Sequence, residues 1–407
     1  MSAALAPLFD SIAGAIREKD GTTAQIAAST FPERIRAIKT GGDVPPVDAV
    51  VGVKWDSSNS STAMTRLTAA NDPNGYVTTD ITAEPVPAVG NGGGSSPFDN
   101  ILPWRDMDEV NVINGAVAYK RGDASFSRTA YDTMVYVPEF WYKVVKNENN
   151  WYFYVCGREK SGFEKHLGSG KYVGRYNTGS GYVSKSGLAP LVSITRAAAR
   201  TGSTAKGGQW RQYDFASWSA VEYLFRVEYA DWNSQAKVGR GYVDGNSAAI
   251  DNGGTDSMAY HTGRAAGTDG KTAVQYRHIE NPWGNVSDWI DGINFYGRAA
   301  YICLDPTKYA DSTTTNYTQT GVTLPSSNYI KSVGLSAAFP WGFLPNGNGG
   351  GDAVYVPDYV YSNSGWRVLR VGGCRDYESR AGLWCFEAVS APSSSYASVG
   401  ARLLYNP

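Results

Sequence analysis

Apolar residues recur at steps of three and four at the start of the chain: Leu5, Leu8, Ile12 and Ile16. This spacing predicts one narrow apolar stripe on a short helix over 5–17. Residues 22–28 add a turn, opened by Thr22 or Thr23. A second short helix is expected over 31–39, with Thr30 as cap, Pro32 in the first turn, Ile35 and Ile38 as apolar face and Gly41-Gly42 as stop. Two helices this small bury too little surface to stand alone. Residues 1–45 therefore read as a helical attachment or oligomerisation element. A β-like run over 50–56 opens a small segment, 46–97, which ends in a Pro-then-Gly/Ser stretch over 83–97 that reads as a linker. From Phe98 onward short aromatic and β-branched runs alternate with Gly/Asn/Ser turns, clearest at 134–137, 140–144 and 151–155. One helix is expected among them, over 215–230. Asp214 caps it, and Trp218, Val221, Leu224, Phe225 and Val227 form its apolar face. The fold class read from this pattern is α+β, with few helices, many short strands and no internal repeat.

Composition narrows the function classes. With 37 basic against 38 acidic residues there is no basic field for nucleic acid. Gly (46), Tyr (27) and Trp (12) are abundant while only 18% of residues are charged, a mix typical of loop-rich, β-rich extracellular or virion proteins. The N-terminus has no basic stretch and Asp10 interrupts its apolar run, so a signal peptide is not expected. No run approaches the roughly 18–20 apolar residues that span a bilayer. Synthesis in the cytoplasm and release within a particle reconciles these features.

Candidate chemistry is sparse. There are three histidines, His166, His261 and His278. His278-Ile279-Glu280 matches the H-x-E of zinc deaminases, but no P-C-x-x-C follows it. There is no G-x-S-x-G elbow, and the glycine-rich stretch 346–351 lacks a Walker lysine. The four cysteines, Cys156, Cys303, Cys374 and Cys385, include no C-x-x-C pair and are too few for a disulfide scaffold. Asp288, Asp291 and Asp305 leave two readings open: a calcium site, or turn capping by Asp, which turn preferences favour. No cofactor and no metal is expected.

The segment 280–294 (ENPWGNVSDWIDGIN) resembles the core segment of phage and prophage proteins with a C-type-lectin fold, and 134–142 resembles an earlier strand of them. The ending is similar to the C-terminal cassette of diversity-generating-retroelement variable proteins: Arg367 to Gly373, then Ala381-Gly382-Leu383-Trp384, then Gly400-Ala401-Arg402-Leu403. The N-terminal stretch 15–23 resembles the start of many tailed-phage structural proteins. The resemblance implies a C-type-lectin-like (formylglycine-generating-enzyme-like) ligand-binding domain over 98–407, with a variable cassette at about 366–403. It implies a tail-tip receptor-binding protein located in the virion, trimeric, joined to other tail proteins through its N-terminus. Its partner would be a protein or glycan on a bacterial surface, with neither nucleic acid bound nor membrane insertion.

Within the cassette, glycines, Ala381, Leu383, Trp384, Arg370 and Arg402 are residues a fold needs. Between them sit residues without periodic logic: Arg367, Cys374, Arg375, Asp376, Tyr377, Ser379, Arg380, Cys385, Glu387, Val389, Ser390, Ser395, Tyr396 and Ser398. These fourteen are the candidate ligand-binding residues, because loops carry recognition. In the resembled family such slots arise from adenine-rich codons, which yield Cys, Tyr, Arg, Asp, Val or Ser but neither Trp nor Glu. Trp366 and Trp384 are therefore expected as scaffold, and Glu378 and Glu387 as weaker candidates for diversification. Tyr377, Tyr396, Arg375 and Arg380 are expected to contribute most binding energy. Two alternatives remain. One is a formylglycine-generating-like oxidase, whose cysteine pair is close in sequence, whereas Cys374 and Cys385 lie eleven apart. The other is a bacterial surface adhesin, which needs an export signal.

Overall fold

The computed structural model describes residues 12–13 and 49–407. Ile12 and Ala13 are helical. The remainder of the helices expected over 5–17 and 31–39, and of the element 1–45, lies outside the described residues. The chain divides into two units, Met1–Pro46 and Val47–Pro407.

The boundary expected at 83–97 is not found. Strand β1 (Val50–Asp56) belongs to the same sheet as later strands, and Ala88–Val89, inside the supposed linker, pairs in parallel with Gly263–Arg264. Pro and Gly there mark turns within one domain.

Four more strands follow early in the chain: β2 (Glu109–Ile113), β3 (Asp132–Val137), β4 (Trp141–Asn147) and β5 (Asn150–Cys156). β1 pairs antiparallel with β5 from Val50 opposite Cys156 to Asp56 opposite Asn150, and β5 forms a hairpin with β4. β6 (Lys171–Asn177) then lies between β3 and the last strand. Three helices come next: α1 (Arg196–Thr204), α2 (Phe215–Tyr229) and α3 (Ser234–Val238). The C-terminal half supplies β7 (Ser287–Tyr296), β8 (Ala299–Ile302), β9 (Asn328–Val333), β10 (Val356–Ser362), β11 (Trp366–Val371), β12 (Phe386–Ser390) and β13 (Arg402–Tyr405). The largest sheet runs β8-β7-β11-β12-β10-β9 through its centre. The described chain is mostly β with few helices, so the helical share of an α+β fold is small.

Helix α2 starts where expected, with the Asp214 side chain accepting from Ser217 N. Every one of its residues is buried, so it is an internal rod rather than an amphipathic surface helix. The large sheet and the loop leading into β12 supply facing side chains. Phe225 and Trp232 meet Trp384 at ring distances of 5.5 and 5.1 Å, and Trp218 lies 6.1 Å from Phe386. Trp283 and Trp289 are buried too. Trp384 is therefore core, as the cassette pattern predicted.

β7 is not regular. Its pairing with β11 shifts register between Ile290 and Asn294, and Gly292 in the shifted stretch has φ +75°. A Cβ there would come within 3.0 Å of the Tyr309 ring, so a bulge with glycine is required.

A second close approach fixes the far side of the cassette. Gly382, with φ +150°, lies against the carboxyl of Asp358, where a Cβ would sit 2.2 Å from both oxygens. Asp358 is buried and Oδ2 accepts from Trp384 N at 2.7 Å. Burial without a facing cation holds its carboxyl well above the usual range. The folded state thus keeps a proton that the unfolded state releases, and stability falls as pH rises above the ordinary carboxylate pKa. Asp358→Asn keeps the acceptor for Trp384 and removes this penalty. We expect it to raise stability at pH 8 by about 1 kcal/mol or more, with the gain shrinking towards pH 4. Paired thermal melts at the two pH values check this.

Candidate functional site

The large sheet has two faces. Phe386, Val360, Leu369, Val371 and Ile330 point into the hydrophobic core. The strand alternation sends Arg370, Glu387, Tyr361, Tyr359 and Tyr329 to the opposite face. Register confirms this row: Arg370 pairs with Glu387, Glu387 with Tyr361, and Tyr359 with Tyr329. Two loops cover the row. One, 372–385, joins β11 to β12. The other, 391–398, follows β12.

Glu387 is the hub under these loops. It is fully buried, and its carboxylate accepts from Arg370 Nε at 2.8 Å, Tyr377 OH at 2.7 Å and Ser287 Oγ at 3.1 Å. Arg370 also donates to Tyr377 OH at 3.1 Å, and the Tyr396 ring lies 5.0 Å from its guanidinium carbon. A buried carboxylate with this many donors is satisfied and rigid. Arg375 ties the two loops together, its Nη1 donating to Ala397 O at 3.0 Å. The second loop is held from outside the cassette by Ser193 N to Tyr396 O at 2.9 Å and Ser287 N to Ser398 O at 3.0 Å.

The fourteen candidate residues divide by exposure. Asp376, Ser395 and Tyr396 are exposed, while Arg367, Arg375, Tyr377, Ser379, Arg380, Val389 and Ser398 are half-buried. Cys374, Cys385, Glu387 and Ser390 are buried and present no surface to a ligand. Their expected role in contact is corrected here: Glu387 and Ser390 lie on β12, which is covered by the core on one face and by the loops on the other, and Cys374 and Cys385 are buried within the loop 372–385. Burial also pushes both thiols up, Cys385 well above its ordinary value with the Glu387 and Asp358 carboxyls adding to the effect. That is the opposite of what a thiolate nucleophile or ligand needs.

Tyr377 and Arg380 are more structural than expected. Tyr377 OH is spent on Glu387, and Arg380 donates to Tyr377 O at 3.2 Å and to Tyr361 OH at 3.0 Å. Trp366, expected as scaffold, is half-buried and stacks at 4.6 Å on Tyr296, which is 52% exposed.

The sequence reading missed the tyrosines beside the cassette. Tyr329, Tyr359, Tyr361 and Tyr377 form a continuous half-buried row with ring spacings of 5.2, 4.4 and 5.6 Å. Tyr329 OH meets Ser379 Oγ at 2.8 Å. The i, i+2 spacing of Tyr359 and Tyr361 was a signal that both share one strand face.

The other chemistry weighed in the sequence does not assemble. Asp288 accepts from Arg402 Nε at 2.9 Å, Asp291 from Arg200 Nη2 at 2.9 Å, and Asp305 caps a short 3-10 turn through Thr307 N at 2.9 Å. Each carboxylate has its own partner, and among the described residues no group of acidic, His or Cys side chains gathers to hold a metal. His166 is buried against Phe140, His261 meets Asp99 at 3.0 Å, and His278 meets Glu109 at 3.0 Å. No helix of the described residues is long and apolar enough to cross a membrane.

No family model matches the chain, and no curated protein matches it. Among solved structures it is similar to the Major Tropism Determinant P3c, U1 and M1 variants, at 12%, 12% and 13% identity and TM-scores of 0.28, 0.29 and 0.29. In each case the match covers 88% of this chain and 72% of the other.

Proposed function

We propose that the chain is a recognition protein of a phage tail tip that binds a bacterial surface ligand through the loops 372–385 and 391–398. The observation that carries this reading is the division of labour in those loops. Their undersides are locked by the Glu387 hub and the Arg375–Ala397 bond, while Tyr396, Asp376 and Ser395 face outward. Rigid support beneath an adaptable polar and aromatic surface is what a binding face requires. The unit 47–407 is read as C-type-lectin-like on the cassette resemblance, with 366–403 as the diversified segment. Catalysis is not part of the proposal, since the thiols are held protonated and the histidines are committed to internal contacts.

The encoding DNA tests the family. A near-copy of the last ~120 nucleotides, adenine-rich at the codons of Arg375, Asp376, Ser395 and Tyr396 and beside a reverse transcriptase gene, is the expected result; that length is three nucleotides for each of about forty residues in a loop-borne site. Absence of any such copy in the complete genome sinks the diversification reading. We further propose that residues 1–45 serve assembly into a trimer. Removing them should leave 46–407 folded but monomeric and unable to join virions. A truncated chain that still assembles into infectious particles overturns that role.

A further inference from the structure

A second sheet, apart from the one under the loops, runs β13-β6-β3-β2 to an edge strand, Ala116–Lys120. Tyr172 of β6 lies opposite Tyr136 of β3, and Lys120 lies opposite Val110 of β2. Directly opposed residues share a sheet face. The pairing of the edge strand shifts between Asn111 and Val112, so that Val117 comes opposite Val112. That irregularity puts Val117 and Lys120, three residues apart, on the same face.

On this face lies a concavity of about 480 Å³, lined by Tyr136, Tyr172, Val110, Val117 and Lys120 and closed by the 3-10 turn Trp104–Asp106 and Asp108. One wall is apolar. The Tyr136 and Tyr172 rings are half-buried and 4.8 Å apart, with planes 33° from parallel. Val110 is buried beside them, and Val117 is 37% exposed. The facing rim is polar and mixed in sign. Asp106 takes Arg105 Nε at 2.7 Å and Asp108 takes Arg121 Nε at 2.5 Å, and all four side chains reach solvent. A carboxylate offers about four acceptor sites, so one guanidinium leaves room for further donors. Lys120 is exposed, and among the described residues neither its ammonium nor the Tyr172 hydroxyl has a hydrogen-bond or ion-pair partner.

We infer that this concavity is a binding site for one pyranose unit of a saccharide. A pyranose is amphipathic in the same sense as the cavity. Its C–H faces leave water against the tyrosine and valine wall, while its hydroxyls donate to Asp106 and Asp108 and accept from Lys120. The rival occupant is an extended peptide added to the edge strand Ala116–Lys120. The register shift and the exposed lysine both disfavour it, because bulges and edge lysines block strand addition. The site shares no residue with the loops 372–385 and 391–398, so it stands or falls apart from the loop-face reading.

The test is saturation-transfer NMR on the full chain with methyl α-glucoside, N-acetylglucosamine and sodium glucuronate. A short peptide of alternating valine and threonine probes the rival. At least one of the three sugars should receive transfer at its ring protons. Tyr172→Ala and Val117→Asp should each weaken that binding roughly tenfold, the worth of one well-packed aromatic or apolar contact. Lys120→Ala should weaken it as well. Val117 and Lys120 are exposed, so their variants should melt like the parent and keep the test decisive if Tyr172→Ala misfolds. The inference is overturned if none of the three sugars binds, if the Val117 and Lys120 variants bind like the parent, or if only the peptide binds. Tyr396→Ala should leave sugar binding intact. Loss of sugar binding in that variant would place the sugar on the loops, overturning this inference while the loop-face reading survives.

Discussion

Arg402→Ala should lower stability by about 3–5 kcal/mol, enough to leave little folded protein. All five N–H donors of this buried guanidinium are used. Nε donates to Asp288 Oδ2 at 2.9 Å, Nη1 to Gly174 O and Arg175 O at 2.9 and 3.0 Å, and Nη2 to Glu280 O and Asn281 O, both at 3.0 Å. One side chain thereby joins β13 to β6, to the turn before β7 and to β7 itself. Truncation strands a buried Asp288 carboxylate, which keeps only Asn177 Nδ2 at 3.0 Å, together with four backbone carbonyls. Arg402→Lys should recover only part of the loss, because an ammonium has three donors and no planar fork. Urea unfolding of the three proteins measures the difference. A loss below about 1 kcal/mol for the alanine variant, typical of surface substitutions, shows that this account of the C-terminal strand is wrong.

Tyr396→Ala and Arg375→Ala should have the opposite signature. Each should weaken ligand binding by roughly 1–4 kcal/mol, as loss of a hot-spot side chain does. Their melting should stay close to the parent, within about 0.5 kcal/mol for the exposed Tyr396 and somewhat more for Arg375, which forfeits its bond to Ala397. Tyr377→Ala belongs to neither group. It removes the hydroxyl that serves Glu387 and Arg370, so it should cost about 1–3 kcal/mol of stability as well as binding. Tyr377 and Arg380, expected from sequence among the main contributors to binding, thus also hold the loop in place.

The parts of the fold that were legible are those with a local physical cause. The alternation and β-branching at 50–56 and 151–155 matched β1 and β5, and Asp214 marked the start of α2. Helix α1 was not anticipated. Its sequence, RAAARTGST, has no apolar stripe and is held by Thr195 as cap and by Arg200 pairing with Asp291, a contact 91 residues away in sequence. The supposed linker over 83–97 failed for a similar reason, because parallel pairing with Gly263–Arg264 leaves no local trace.

In the candidate site, the scaffold residues Arg370, Arg402 and Trp384 were read correctly because buried arginine and tryptophan have few other uses. Cys385, Glu387 and Ser390 were misread as surface. They lie on or beside one strand, and nothing in the residues 386–390 reveals that loops roof its outer face. The opposite charges of Arg370 and Glu387, which meet across antiparallel strands, were the available clue. Tyr329, Tyr359 and Tyr361 precede the cassette in sequence, and only the pairing of β9, β10 and β12 brings them beside it.

The most direct test of the loop-face account is a binding scan of the labelled full chain on a panel of bacterial cells, each variant also melted. Tyr396→Ala, Asp376→Ala and Ser395→Ala form the outward group. Cys385→Ala and Ser390→Ala form the buried group of the same cassette. The account predicts that the outward group loses binding to the recognised strain at nearly unchanged melting, whereas any loss in the buried group tracks its fall in melting. Binding that follows melting across both groups, with no outward variant departing from the trend, would contradict it.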